Sequence, residues 1–302
     1  MKSLFKQIGE ITGLKKRIDR YIEFRINNHI KNNFRQYYRN YEWNEIIKKC
    51  GDFIDIAIDG GLVIRCNRDS QLGKEIYIGE FENNELNYIK SLLMPGDIFI
   101  DIGANIGLFS LVAGIAVAET GKVYAFEPAK ESFELLKENI ILNQLPNINA
   151  INMAMGEYVD KLFLFNYRGG MDAFNSFSPV LKETEYNKTE VIVDTLSRFI
   201  KTLSVEEVSR IKLIKIDVEG WEIPVIKGGL DFLASSTAPN ILVEFTESNA
   251  KASGYRCKDL YKLGESIGYT WYQITQDGLV HAKNIKNFDY INLIGIKNHE
   301  KQ

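Results

Sequence analysis

The chain has 302 residues, of which 45% are hydrophobic and 25% charged, with a net charge of −3; this is the balance of a globular protein with its own core and excludes a disordered chain. Its three cysteines, Cys50, Cys66 and Cys257, are scattered without CxxC or Cys/His spacing, so no disulfide framework or metal finger is expected and a reducing cytoplasm suits the chain. No stretch approaches the roughly 20 apolar residues of a membrane span, and the start lacks an uninterrupted apolar segment, so neither secretion nor a transmembrane helix is expected.

The charge is unevenly placed. Residues 1–50 hold twelve Lys/Arg against five acids, a net +7 in a chain of −3, which leaves residues 51–302 strongly acidic. Apolar residues at three- and four-residue steps (Leu4, Ile8, Ile11; Ile18, Tyr21, Ile22, Ile26; Phe34, Tyr37, Tyr38, Tyr41) predict two or three helices over about 3–49. This basic head reads as a helical extension of the main domain at 51–302. A role in acceptor recognition, homo-oligomerisation or peripheral attachment to the anionic inner membrane surface is open to it.

Residues 53–58 and 62–66, separated by Gly60-Gly61, predict a small β-hairpin. A helix is expected from about Asn84 to Leu93, ended by Pro95-Gly96. From 97 onward strands and helices alternate. Strands are expected at Ile98–Asp101, Val123–Glu127, Ile148–Asn152, Lys212–Asp217 and Ile241–Phe245, with a terminal pair near 269–275 and 289–296. Helices are expected at 105–118, Lys130–Leu142, from near Ile223, and Lys258–Ile267. Such alternation predicts an α/β fold, a mostly parallel sheet with helices on both faces. Residues 157–200 interrupt it with extra strands and a mobile loop, of which Gly169–Pro179 is the expected lid.

Three stretches carry chemistry. Asp101-Ile-Gly103-Ala-Asn105-Ile-Gly107 joins a strand to a helix, but its glycines stand four apart and miss the GxGxxG spacing that seats a pyrophosphate. A carboxylate at that strand end suits a ligand bringing positive charge, and S-adenosylmethionine carries an ammonium and a sulfonium but no phosphate. Glu127, twenty residues beyond Gly107, ends the second strand, where an acid can accept both ribose hydroxyls. Asp217, Glu219 and Glu222 follow the strand Ile214–Ile216. Three carboxylates within six positions are costly to place together unless solvated, paired or used.

The succession FIDIGANIGLFSL, VYAFEP, IKIDVEGWE and ILVEF resembles the FkbM family of S-adenosylmethionine-dependent methyltransferases, over roughly residues 76–275. The resemblance implies a class I methyltransferase (Rossmann-like) fold with a seven-stranded sheet and methyl transfer, typically to a hydroxyl of a sugar or another secondary metabolite. It places Asp101, Gly103, Ala104, Asn105 and Gly107 in the cofactor loop, Glu127 on the ribose, and Ala154 and Met155 near adenine. With no histidine in a motif, Glu219 or Asp217 is the expected base, while Glu222 and Glu244 orient the substrate or brace the loop. The alternative has Asp217, with Glu219 or Glu244, holding a divalent metal that acidifies the hydroxyl. A nicotinamide oxidoreductase is disfavoured by the glycine spacing. Nucleic acid is not an expected partner, because the body is acidic and no Asn-Pro-Pro-aromatic loop is present to grip a flipped base.

Overall fold

The computed structural model describes residues 39–167, 175–178, 186–283 and 289–297. The chain divides into two compact units, Met1–Cys50 and Gly51–Gln302. In the first, residues 39–47 form helix α1; the helices expected upstream lie outside the described residues. No described helix is long and apolar enough to cross a membrane.

The second unit opens with an antiparallel hairpin, β1 (Phe53–Ile58) and β2 (Leu62–Asn67). Then come α2 (Gln71–Ile78), α3 (Asn83–Leu92), β3 (Ile98–Ile102), α4 (Leu108–Val117), β4 (Lys122–Phe126), α5 (Lys130–Leu142) and β5 (Ile148–Ile151). The interruption comprises β6 (Ala154–Met155), β7 (Asp160–Tyr167) and β8 (Tyr186–Asp194). It is followed by α6 (Leu196–Ile200), α7 (Val205–Ser209), β9 (Ile211–Ile216), α8 (Glu222–Gly228), α9 (Leu230–Leu233) and β10 (Asn240–Phe245). The chain closes with α10 (Glu247–Ala252), α11 (Cys257–Ser266), β11 (Tyr269–Thr275), β12 (Gly278–His281) and β13 (Ile291–Lys297).

Eight strands form the main sheet in the order β12-β11-β13-β10-β9-β3-β4-β5. From β10 to β5 every pairing is parallel, and β13 is antiparallel to both of its neighbours. The expected count of seven misses β12. All four of its residues are exposed, so no burial rhythm marks it, and it exists only as the return of a tight turn from β11. Strand order reverses between β3 and β9, and such a switch point opens a crevice at the carboxyl ends of the strands.

The central strands are buried on both faces and therefore read as near-continuous apolar runs. All five residues of β3 are buried, and Ile214, Ile216, Ile241 and Val243 from β9 and β10 are fully excluded from water. At about 1.5–3 kcal/mol for each such side chain, this layer is the main support of the sheet edge that carries the site. The extra strands form a separate sheet, β6-β8-β7. Most of the expected lid lies outside the described residues; within it, Ser176 bridges to Phe165 of β7 and the Phe177 ring lies 4.9 Å from that of Trp221.

The hairpin is tied down by side chains in place of a third strand. Asn139 accepts from the Arg65 amide and donates to the Arg65 carbonyl, and Asn143 does the same with Val63. Four residues along a helix advance about 6 Å and two along a strand about 6.6 Å, so α5 satisfies the free edge of β2 amide by amide.

Candidate active site

The cradle follows from β3. Gly103 and Ala104 both donate to the Phe126 carbonyl at the end of β4, which pulls the loop across the strand ends. Asn105 then turns into the left-handed region at φ 49° and Gly107 at φ 98°. This is why α4 begins at Leu108 and not at the expected 105. A Cβ on Gly103 would stand 1.8 Å from the Asp217 carbonyl oxygen, so only glycine lets the loop and the β9 end approach this closely. Asp101 below it is fully buried, with one oxygen accepting from the Ser110 hydroxyl at 2.6 Å and the other, Oδ1, without a partner. Burial pushes its carboxyl above the ordinary range, while Lys215 and Ser110 pull it back.

Glu127 stands 6% exposed at the end of β4. Its Oε2 accepts from the Asn105 amide and Oε1 from the Ala129 amide, each at 2.8 Å. Burial pushes its pKa up to about 7 against these bonds. Beside it Pro128, Met153, Ala154, Met155, Leu164 and Phe177 make an apolar wall. This wall and the loop enclose one end of a cavity of about 560 Å³.

The other end is acidic. Asp217, just past β9, accepts from the Lys215 ammonium at 2.7 Å. Lys215 is 4% exposed and lies over the Phe109 ring at 4.6 Å. Burial opposes its charge, but Asp217, Asp101 and Glu82 outweigh that and hold its pKa above the ordinary value. Glu219 sits in the left-handed region at φ 51°, followed by Gly220 at φ 92°; for a glutamate this costs of order 1 kcal/mol and aims the side chain off the strand line. One Glu219 oxygen accepts from Asn249, and one Glu244 oxygen from Thr246 at 3.0 Å. Burial, then the neighbouring carboxylates, push both glutamates well above the ordinary range.

Seven of the eight residues expected at the cofactor, together with Asp217, Glu219 and Glu244, line this one cavity; Asp101 does not, being fully buried within β3 with Ser110 as its hydrogen-bond partner. Glu222 does not line it. Both Glu222 oxygens are engaged, one by the Val218 and Gly220 amides and the other by the Tyr255 hydroxyl, so it holds the turn after β9 in shape. Trp271 is fully buried, with its ring against those of Phe245 and Tyr269, and so is not placed to stack on a ligand.

Sequence reasoning missed Lys215, Glu82, Asn249 and Tyr290. Lys215 had a signal, a lone charge in the apolar run Ile214–Ile216. Glu82 had none: it lines the cavity from the turn before α3, at φ 42°, and accepts from Tyr290 and Asn292, which lie more than 200 positions away. No histidine lines the cavity among the described residues.

An unpartnered acceptor at Asn105, a carboxylate at the end of β4 and an apolar wall fit a nucleoside that brings no phosphate. Set at the switch point of a parallel sheet, they define a class I methyltransferase with S-adenosylmethionine as its cofactor. The family profile described as the methyltransferase FkbM domain matches residues 101–270, and the chain belongs to that family. Methyltransferase 1 of Beauveria bassiana is 29% identical over 170 residues, 51% of this chain and 67% of that protein. Hexuronic acid methyltransferase AglP of Haloferax volcanii is 28% identical over 145 residues, 46% of this chain and 52% of that protein. Among solved structures, the SAM-dependent O-methyltransferase of Thermotoga maritima matches at 14% identity and a TM-score of 0.41, covering 86% of this chain and 83% of that one.

Proposed function

We propose that the chain transfers a methyl group to a hydroxyl of a sugar, glycan or glycan precursor. The observation that carries this reading is the carboxylate group Asp217, Glu219 and Glu244 lining the same cavity as the cradle. An aliphatic hydroxyl is a poor nucleophile and gains from alignment and from a base that removes its proton as the new bond forms. When bound, S-adenosylmethionine supplies a methyl on a sulfonium and leaves as S-adenosylhomocysteine. Gly103, Ala104, Asn105 and Gly107 would hold its amino-acid portion, with Asp101 buried behind them, Glu127 would accept hydrogen bonds from its ribose hydroxyls, and Ala154 and Met155 would flank its adenine. Asp217 or Glu219 takes up the acceptor proton, Glu244 orients the acceptor, and Glu222 braces the turn that carries Glu219.

A hydroxylated sugar also agrees with the acceptor named for AglP of Haloferax volcanii. A nucleic-acid backbone, with a charge at every nucleotide, does not suit the strongly acidic residues 51–302, which offer no basic track for it. The test is incubation with S-adenosylmethionine and a panel of hexuronic acids, nucleotide sugars and oligosaccharides, read by mass spectrometry. A gain of one methylene on a sugar hydroxyl is expected. No gain on any sugar would overturn the acceptor class, and near-wild-type turnover in both Asp217→Asn and Glu219→Gln would overturn the base assignment.

A further inference from the structure

The acidic end of the cavity gathers more carboxyl groups than the protein itself pairs. Asp217, Glu219 and Glu244 each offer one carboxylate oxygen within 4.8 Å of the other two. Around them the described groups supply one ammonium, Lys215, which bonds Asp217. Every one of the three has a single oxygen fixed by a protein donor: Asp217 by Lys215, Glu219 by Asn249, and Glu244 by Thr246. Donors of this kind orient carboxylates while leaving the second oxygen free for another group. The second oxygen of Glu244, Oε2, is buried and has no partner, on a residue only 6% exposed. An unpaired carboxylate oxygen at that depth carries its full desolvation penalty unless something outside the chain answers it.

We infer that Asp217, Glu219 and Glu244 bind one divalent cation of the oxygen-preferring class, magnesium or manganese. Three carboxylates suit such a hard ion and leave several of its six positions to water or substrate oxygen. Because the three residues line the cavity, those positions open toward the acceptor, where two neighbouring sugar hydroxyls or a uronic carboxylate fit as ligands. The inference rests on the proposed function for the identity of the acceptor and replaces its carboxylate base: a hydroxyl held on the cation would be acidified there and pass its proton to water in the cavity as the bond to the methyl forms. It also explains how a site walled by acids admits an anionic sugar: the cation, not the protein, meets the negative group.

Manganese is the probe, because its paramagnetism reports binding without any turnover. Titration of the full chain, followed by electron paramagnetic resonance with and without S-adenosylhomocysteine, is expected to show one immobilised ion per chain. Glu244→Gln and Asp217→Asn, each still binding S-adenosylhomocysteine as a check on folding, should weaken it roughly tenfold or more. Glu138→Gln, an exposed acid on α5, should leave it unchanged. Absence of one-to-one binding in the wild-type chain, or unaltered binding in both site variants, overturns the inference. Methyl transfer to a sugar that persists in a chelator, with no manganese bound, sinks the cation and keeps the proposed function. One-to-one manganese binding without transfer to any sugar keeps the cation and sinks the acceptor.

Discussion

Glu127 holds backbone amides on both oxygens, yet burial still pushes its pKa from the ordinary 4.5 to about 7. Folding therefore favours its protonated form, and the stability this contributes is present below about pH 4.5 and lost as pH rises toward 7. Glu82, also pushed to about 7, chiefly by burial, adds in the same direction. The cofactor-free chain is accordingly expected to melt at lower temperature at pH 7.5 than at pH 5.5. Ribose hydroxyls donate to the ionised carboxylate, so S-adenosylhomocysteine affinity should climb with pH by up to about tenfold per unit below 7 and then level. Glu127→Gln should weaken binding roughly tenfold to a hundredfold and flatten that profile. Calorimetric titration from pH 5.5 to 8 checks both, and an unchanged profile in the variant would show that another group titrates. A second comparison isolates steric approach from backbone strain. Gly103 and Gly254 share a φ of +85°, but a Cβ on Gly103 meets the Asp217 carbonyl while one on Gly254 meets nothing within 4 Å. Gly254→Ala should cost about 1–2 kcal/mol from strain alone, and Gly103→Ala about 1–3 kcal/mol beyond that, measured by urea unfolding.

At the scale of elements, what was legible in the sequence follows from what is local. β3, β4, β9 and β10 are apolar runs ending in acids, and the loop glycines stand beside the strand they serve, so the cradle could be read directly. β12 is exposed throughout and has no rhythm. The partnership of Glu82 with Tyr290 and Asn292 joins distant segments, and no spacing rule reaches it. The α5 anchor is of the same kind. Asn139 in KESFELLKENIIL and Asn143 just after it read as ordinary polar positions near a helix end, yet Asn139 is fully buried and also donates to the Ile106 carbonyl at 2.8 Å. It thus couples the hairpin to the cofactor loop. Asn139→Ala leaves three backbone groups without their partner and should cost about 2–4 kcal/mol; Asn143→Ala, less buried, should cost about 1 kcal/mol. Faster amide hydrogen exchange at Arg65 in the first variant and at Val63 in the second would follow. Equal protection to wild type at both amides would mean that water replaces the asparagines at no cost.

Across the whole molecule, the division at Cys50 and Gly51 separates charge from chemistry. Among the described residues, those lining the cavity run from Gln71 to Tyr290 and the thirteen strands fall between Phe53 and Lys297, so each contact assigned above to the cofactor arises within the second unit. The first unit is the basic one, and its removal takes the chain from −3 to a strongly acidic body. A change of that size alters solubility and long-range attraction to anions, effects screened over about 10 Å at 0.1 M salt, and leaves short buried contacts such as Asn105 to Glu127 untouched. The fragment 51–302 is therefore expected to fold, to melt within about 2 °C of the full chain, and to bind S-adenosylhomocysteine within about twofold of it at 0.1 M salt. Calorimetry on both chains decides this. A tenfold loss of cofactor affinity in the fragment would mean that residues 1–50 supply part of the cradle. If cofactor affinity holds while the KM for a methylated sugar rises and kcat does not change, the head serves acceptor capture, the step in which a basic segment attracts an anionic glycan through long-range charge.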